Sequence, residues 1–297
     1  MVRFKVIKGS QLLIAIAAIV LALVVGFIVL SSLLSSDAPG VQTNANIVRA
    51  TPQSTAEAET NPVFASVSVE RVNAERPSVL IYHTHTHEAY RQVAEDAYVA
   101  VEAWRTLDES HSVVRVGDEL ASQLKARGFE VVHDTTDHEQ NDMMTAYTRS
   151  LKTLEGYERT FDLYIDLHRD AYIEGVDPKP IVNGDPQPAR LMLLVGNGEG
   201  FTVKPHYAEN LAFARALTEE INRVSPGLCK DVLVKDGRYN QNIGVFSILV
   251  EVGHNQNTLA EALDSVPALA EAIDALLIEK TNPEIEKLQM EWRAQSE

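Results

Sequence analysis

The apolar run Val79-Leu80-Ile81-Tyr82 stops at His83-Thr84-His85-Thr86-His87-Glu88, which places three imidazoles and a carboxylate in one short turn. Such a cluster is costly to bury unless something satisfies it, and a divalent metal ion would do so. Two later runs end in the same way. Phe161-Asp162-Leu163-Tyr164-Ile165-Asp166-Leu167 stops at His168, and Phe246-Ser247-Ile248-Leu249-Val250 stops at Glu251. Short apolar runs of this kind are buried strands, and open α/β sheets form their sites just beyond the carboxyl ends of strands. Three strand ends would therefore deliver His, Glu, His and a further Glu to one place. That combination is a catalytic zinc site, and it predicts a metallohydrolase.

The rest of the domain fits this frame. Short apolar strand candidates alternate with amphipathic helices, which predicts an α/β fold with a mixed or mostly parallel sheet and helices on both faces. A helix carries Val113, Val116, Leu120 and Leu124 on one face and closes at Gly128. Phe129 to Val132 follows as a strand, and a helix over 142–155 places Met143, Tyr147, Leu151 and Leu154 at core spacing. Leu191 to Val195 is another strand, preceded by a Pro- and Gly-rich loop from Val176 to Pro188. A helix from Tyr207 to Val224 is stopped by Ser225-Pro226-Gly227. Thr258-x-x-Glu261 is a capping box that opens a helix, and Ser265-Val266-Pro267 resembles the cap of another one running to Lys280. The polar stretch from Arg91 to His111 reads as an excursion beside the site.

The N-terminus carries a second strong signal. Leu12 to Leu34 is an uncharged, almost wholly apolar run of 23 residues, long enough to span a bilayer. Arg3, Lys5 and Lys8 precede it, and the first charge after it is Asp37. That bias puts the N-terminus in the cytoplasm and the rest outside. A cleaved signal peptide would have a shorter apolar core, so an uncleaved anchor is the expectation. The division is then a cytoplasmic 1–11, a transmembrane helix over 12–34, a flexible linker over 35–76, a catalytic domain over 77–280 and a charged tail over 281–297.

Composition mainly excludes. A net charge of −16 argues against nucleic acid, which needs clustered Lys and Arg. The single cysteine, Cys229, rules out an intramolecular disulfide framework and a cysteine-rich metal site, and reads as a packing residue.

His85 and Glu88 form H-x-x-E, two ligands about one turn apart. His85 and His168 each follow an apolar strand, which sets them apart from His111, His133, His138, His206 and His254 as ordinary core or surface residues. His83 lies on the same side of an extended chain as His85 and is a rival ligand; His87 is a weaker one. Glu251 suits the carboxylate that a catalytic zinc needs beside it for proton handling.

These residues also resemble a known family. Val79 to Thr86 with Glu88-Ala89-Tyr90, then Asp166-Leu167-His168-Arg169-Asp170, then Tyr239-Asn240-Gln241 with Leu249-Val250-Glu251-Val252-Gly253 and Asn257-Thr258, are similar to three ordered signatures of the stage II sporulation protein P family. The resemblance covers about residues 77 to 275. The family is similar in turn to zinc-dependent N-acetylmuramoyl-L-alanine amidases, which implies an amidase-like fold, a Zn2+ cofactor and peptidoglycan as substrate. The bond cut would be the amide between the glycan's lactyl group and the stem peptide; some members are also credited with cutting peptide cross-links. The resemblance makes His85, Glu88 and His168 the zinc ligands and Glu251 the general base, with Arg169 and Asn240 orienting substrate in the cleft. It also implies other sporulation cell-wall proteins as partners. Position 87 departs from the pattern, being His where a small hydroxyl residue is expected. A zinc peptidase acting on stem peptides or cross-links, and a non-catalytic wall-binding module, are the alternative readings.

Overall fold

The computed structural model describes residues 76–140, 142–177, 187–279, 287–288, 290–292 and 294. The expected spanning segment 12–34, the linker up to residue 75, residues 178–186 of the long loop and most of the tail lie outside them. Among the described residues no helix is long and apolar enough to cross a membrane.

Six strands form the main sheet: β1 (Ser78–Tyr82), β4 (Glu130–His133), β5 (Leu163–Asp170), β6 (Leu191–Gly196), β7 (Leu233–Lys235) and β8 (Ser247–His254). Their order is β4-β1-β5-β8-β6-β7. Every neighbouring pair is parallel except β6 and β8, which run antiparallel. The mostly parallel sheet is thus as expected. β1, β5 and β8 lie side by side in the middle and run parallel, so their carboxyl ends share one edge of the sheet. β5 continues past His168 to Asp170 and β8 past Glu251 to His254, so these two residues lie within strands rather than ending them as expected.

Alternation along the strands divides the molecule into two layers. Val79, Ile81, Leu163, Ile165 and Leu167 face a large core shared with helices α1 (Val113–Ala126), α3 (Tyr207–Val224) and α4 (Leu259–Asp274). Leu80, Tyr82 and Tyr164 face the other way, into a small cluster with Phe161 and with Leu154 of α2 (Ala146–Glu155). Helices therefore cover both faces, three against one.

Local chemistry explains the helix ends. Ser112 caps α1 by accepting from Val114 N at 3.2 Å, and the chain leaves the helix through Gly128 at φ +94°. At α4, Thr258 Oγ1 accepts from Glu261 N while Glu261 accepts from Thr258 N, the reciprocal box that the sequence predicts. The expected second cap at 265–267 is not one. Pro267 lies inside α4, and Ser265 Oγ donates to Ala189 O at 2.7 Å. An interior proline weakens a helix by about 3 kcal/mol, and here nine buried residues of the same helix offset it.

The helix expected over 142–155 begins as a 3-10 turn, Met143–Thr145, before α2. Met143 is 50% exposed and Met144 87%, so this end of the element is not core, and Tyr147 and Leu151 are only half-buried. Of Met143, Tyr147, Leu151 and Leu154, only Leu154 joins the buried cluster on this face, and Tyr147 packs instead against His85 and Tyr239. The polar excursion contains a hairpin that sequence did not reveal, β2 (Ala100–Glu102) and β3 (Arg105–Thr106).

Candidate active site

His168 and Glu251 are direct register partners on the adjacent parallel strands β5 and β8. Asp166, two residues before His168, lies on the same strand face by the period of two. Glu88 arrives from the turn after β1, where it bridges Arg105 of the hairpin. His168 Nδ1 stands 3.4 Å from Glu88 Oε2, and His168 Nε2 stands 2.8 Å from Asp166 Oδ1. The second contact is within ion-pair reach, although its angle is not that of a hydrogen bond. Asp166 also accepts from Thr84 N at 2.8 Å and from Thr84 Oγ1 at 2.7 Å.

The electrostatics follow from this crowding. Burial alone would lower the His168 pKa, but Asp166 and Glu88 outweigh it and push the pKa well above the ordinary imidazole value. Burial opposes ionisation of Glu88 as well, yet His168 and Arg169 hold its carboxyl below the usual range. Glu251 goes the other way. Burial first, then Glu88 and Asp170, push it up to about 8 against the attraction of His168. Glu251 Oε2 is buried without a partner among the described residues. A proton or a cation is what would satisfy it.

The three histidines of the turn separate clearly. His83 is buried and donates from Nδ1 to Leu167 O at 2.8 Å, and its Nε2 meets His133 Nε2 at 2.9 Å. Gly117 makes room for that pair, since a Cβ there would stand 2.5 Å from His133 Nε2 and 2.8 Å from His83 Nε2. His87 is flanked by Asp137 at 3.1 Å and by Glu139 at 3.6 Å. His85 alone turns towards the cluster, its ring centroid 5.4 Å from that of His168. Its Nδ1 donates to Glu139 Oε1 at 2.9 Å, which leaves Nε2 without a hydrogen-bond partner among the described residues.

Glu139 was not identified from sequence, because nothing local marks it. Besides His85 it accepts from His87 N at 2.8 Å and from Arg105 Nη2. These contacts overcome burial and bring its pKa down to about 2. Asp166 could have been found, since D-x-H on a strand puts both side chains on one face.

The donor set fits a zinc ion in its chemistry. Two ligands held at about 2.0–2.1 Å from a tetrahedral zinc stand about 3.3 Å apart, close to the 3.4 Å between His168 Nδ1 and Glu88 Oε2. His85 turns Nδ1 to Glu139 and His168 turns Nε2 to Asp166, carboxylate contacts of the kind that orient metal-binding imidazoles, while His168 Nδ1 faces Glu88. Among the described residues no group of three such side chains stands ready-made around one point. The His85 ring is the member set further out.

The two weaker candidates have structural contacts of their own. Arg169 donates from Nε to Ala89 O at 3.1 Å and from Nη2 to Trp104 O at 3.2 Å, bracing the hairpin over Glu88. Asn240 donates from Nδ2 to Tyr147 O at 2.8 Å and to Ser150 Oγ at 2.9 Å, which ties its turn to α2. Cys229 is buried with its thiol pushed up to about 11, chiefly by burial, as befits a packing residue.

Comparison with known proteins gives one sequence match and several structural ones. The model of the family described as Stage II sporulation protein P (SpoIIP) matches residues 35–274. No curated protein matches the chain. Among solved structures, the catalytic domain of an endolysin targeting Clostridia difficile shares 14% identity at a TM-score of 0.40, over 67% of this chain and 96% of that one. The N-acetylmuramoyl-L-alanine amidase from Clostridium difficile 630 shares 10% identity at 0.40, over 69% and 98%. A product-bound cell shape determinant protein from Helicobacter pylori shares 13% at 0.35, over 72% of this chain and 55% of that one. At these scores no residue role is carried over from the solved structures.

Proposed function

The chain belongs to the stage II sporulation protein P family, and on that premise we propose that it is a membrane-anchored hydrolase of peptidoglycan. The bond cut is the amide between the muramic acid lactyl group and the stem peptide. The observation that carries the reading is the pairing of His168 with Glu251 as register partners within the adjacent strands β5 and β8, with Glu88 at 3.4 Å from His168.

In this reading His85, Glu88 and His168 would hold a zinc ion. Bound there, zinc supplies Lewis acidity that polarises the scissile carbonyl and eases deprotonation of water. Glu251 takes the proton from the attacking water at its unpartnered Oε2 and later returns it to the leaving nitrogen. Without a cation, burial pushes its carboxyl up to about 8, where it keeps its proton at neutral pH; a cation nearby would lower that value and free the carboxylate to act as base. Glu139 accepts from His85 Nδ1 and Asp166 stands 2.8 Å from His168 Nε2, so a carboxylate orients each imidazole, with His168 Nδ1 turned to Glu88. Arg169 keeps the hairpin against Glu88 and so fixes the carboxylate's position.

The segment 12–34 is the proposed anchor, with the catalytic domain outside the membrane, where peptidoglycan and other sporulation cell-wall proteins are within reach. Digestion of purified peptidoglycan by zinc-loaded protein, followed by mass spectrometry, tests the bond. Free stem peptides and glycan with unsubstituted lactyl groups are expected. Shortened peptides still attached to muramic acid would replace the amidase reading with the peptidase one.

A further inference from the structure

Beside the His85 side of the site lies a pocket of about 380 Å³, lined by Met144, Tyr147, Phe201, Arg238, Tyr239 and Asn240 among others. One aromatic ring joins it to the candidate metal ligands. Tyr147 packs edge-on against His85 at 5.7 Å between centroids, and against Tyr239 at the same 5.7 Å.

The wall that carries Arg238 is built under strain. Tyr239 and Asn240 both adopt left-handed backbone, at φ 48° and 53°, a conformation that disfavours a bulky residue and costs on the order of 1–3 kcal/mol per residue. The surroundings hold it in place. Gln241 N donates to Arg238 O, Gln241 Oε1 accepts from Gly196 N at 2.8 Å, and Asn240 Nδ2 reaches across to α2. Gly196 cannot carry a side chain, because a Cβ would stand 2.5 Å from Gly237 O and 2.8 Å from the Tyr239 ring. Strain of this kind marks a turn whose shape is needed for something other than stability.

Arg238 is the charged group that this turn presents. Its guanidinium lies over the Phe201 ring, with Cζ 5.0 Å from the centroid. Its Nε is buried without a hydrogen-bond partner, and no acid is paired with it among the described residues. Asp236 also lines the pocket, but its carboxylate accepts from Asn197 Nδ2 at 2.7 Å and is not paired with Arg238 among the described residues. A guanidinium placed over an aromatic ring, with Nε unpartnered, is prepared for a carboxylate. Met144, Phe201 and Tyr239 give the pocket apolar walls for the carbon chain that bears it. Arg169, the cation expected from sequence to do this, already gives its Nε and Nη2 to backbone carbonyls.

We propose that this pocket is the subsite for an acidic segment of the peptide substrate, with Arg238 binding a free carboxylate over the Phe201 ring. The proposal rests on the hydrolase reading, because it takes the stem peptide to be the substrate. It fixes the direction of binding: the peptide runs from the His85 side of the site past Tyr147 into the pocket.

Binding and turnover test it separately. The probe is a short acidic peptide with free carboxylates, and its fully amidated counterpart serves as the control, titrated calorimetrically into the full-length protein. The wild type should bind the acidic form about tenfold or more tightly than the amidated one, the scale of a charge-assisted pair. Arg238→Gln should abolish that preference, and Arg238→Lys should restore part of it. Phe201→Ala should reduce it even if Arg238→Gln proves unstable. On peptidoglycan, Arg238→Gln should raise KM with kcat changed less than about threefold. Equal binding of both peptides by the wild type, or a preference that survives Arg238→Gln, would overturn the proposal. Absence of released stem peptide with the preference intact would instead count against the hydrolase reading and leave the carboxylate subsite standing.

Discussion

The two faces of the central sheet are built from the same strands and do opposite things. On one face Val79, Ile81, Leu163, Ile165 and Leu167 disappear beneath three helices. On the other, Leu80, Tyr82 and Tyr164 make a small cluster with one helix, and the same strand then continues through Asp166 and His168. Thick apolar cover cannot hold unpaired charge, because removing a carboxylate or imidazolium from water costs several kcal/mol per ion. The thinly covered face can hold it, because charges there meet one another and the cleft. Leu167 and His168 are neighbours in sequence with opposite duties.

That contrast yields its largest test at those two positions. His168→Ala should abolish hydrolysis and remove most bound zinc while the domain stays folded, as read by product release, metal analysis and circular dichroism. Leu167→Ala should do the reverse. A fully buried leucine truncated to alanine costs about 2–5 kcal/mol in urea unfolding, with turnover retained in the molecules that remain folded. If both variants unfold equally, the division between the faces is wrong.

Glu251→Gln probes the cleft more finely. Zinc should remain and turnover should fall on the order of 10²-fold or more, the usual scale for acid–base catalysis. Loss of zinc would make Glu251 a ligand, and near-normal activity would make it structural.

The smallest effect concerns acid stability in the metal-free protein. His83 has its pKa lowered from 6.5 to about 3, by burial first and by His133 second. It therefore contributes stability that is fully present above 6.5 and lost as pH falls towards 3, at up to about 1.4 kcal/mol per pH unit. His168, with its pKa raised, works in the opposite sense: its contribution is present below 6.5 and lost as pH rises through the higher folded value. His83→Gln should thus flatten the acid limb of stability against pH, measured by urea titration. An unchanged slope would show that His83 is not held neutral in the fold.

Sequence came closest where one physical rule was enough. Tyr207–Val224 forms its helix between the expected residues, and the Thr258–Glu261 box closes as expected, because both depend on contacts within a few residues. It failed where neighbours far away in the chain decide. The 265–267 stretch carries a cap signature and yet continues a helix, since Ser265 meets Ala189 from another part of the chain. Met143 and Tyr147 have core spacing, but Met143 stays half-exposed and Tyr147 is taken up by the rings of His85 and Tyr239 rather than by the core. Arg169 carries charge beside a presumed ligand and is taken up by Ala89 and Trp104, while Arg238, which no motif singles out, is left without an acid.

The sequence by itself determined that β1, β5 and β8 are strands and that His168 and Glu251 follow their apolar runs, because burial and the period of two are local properties of the chain. It ended β5 and β8 too early, since both continue as paired strands to Asp170 and His254. It left open which of His83, His85 and His87 faces the cluster, because all three lie within five residues of one another in the same turn. Only the tertiary structure decided, through partners supplied by distant segments. Leu167 O and His133 take both nitrogens of His83, Asp137 and Glu139 flank His87, and Glu139 takes one nitrogen of His85 and leaves the other free. A side chain's role in a site is fixed by which of its donors the fold has already used, and that can be known only once distant parts of the chain meet.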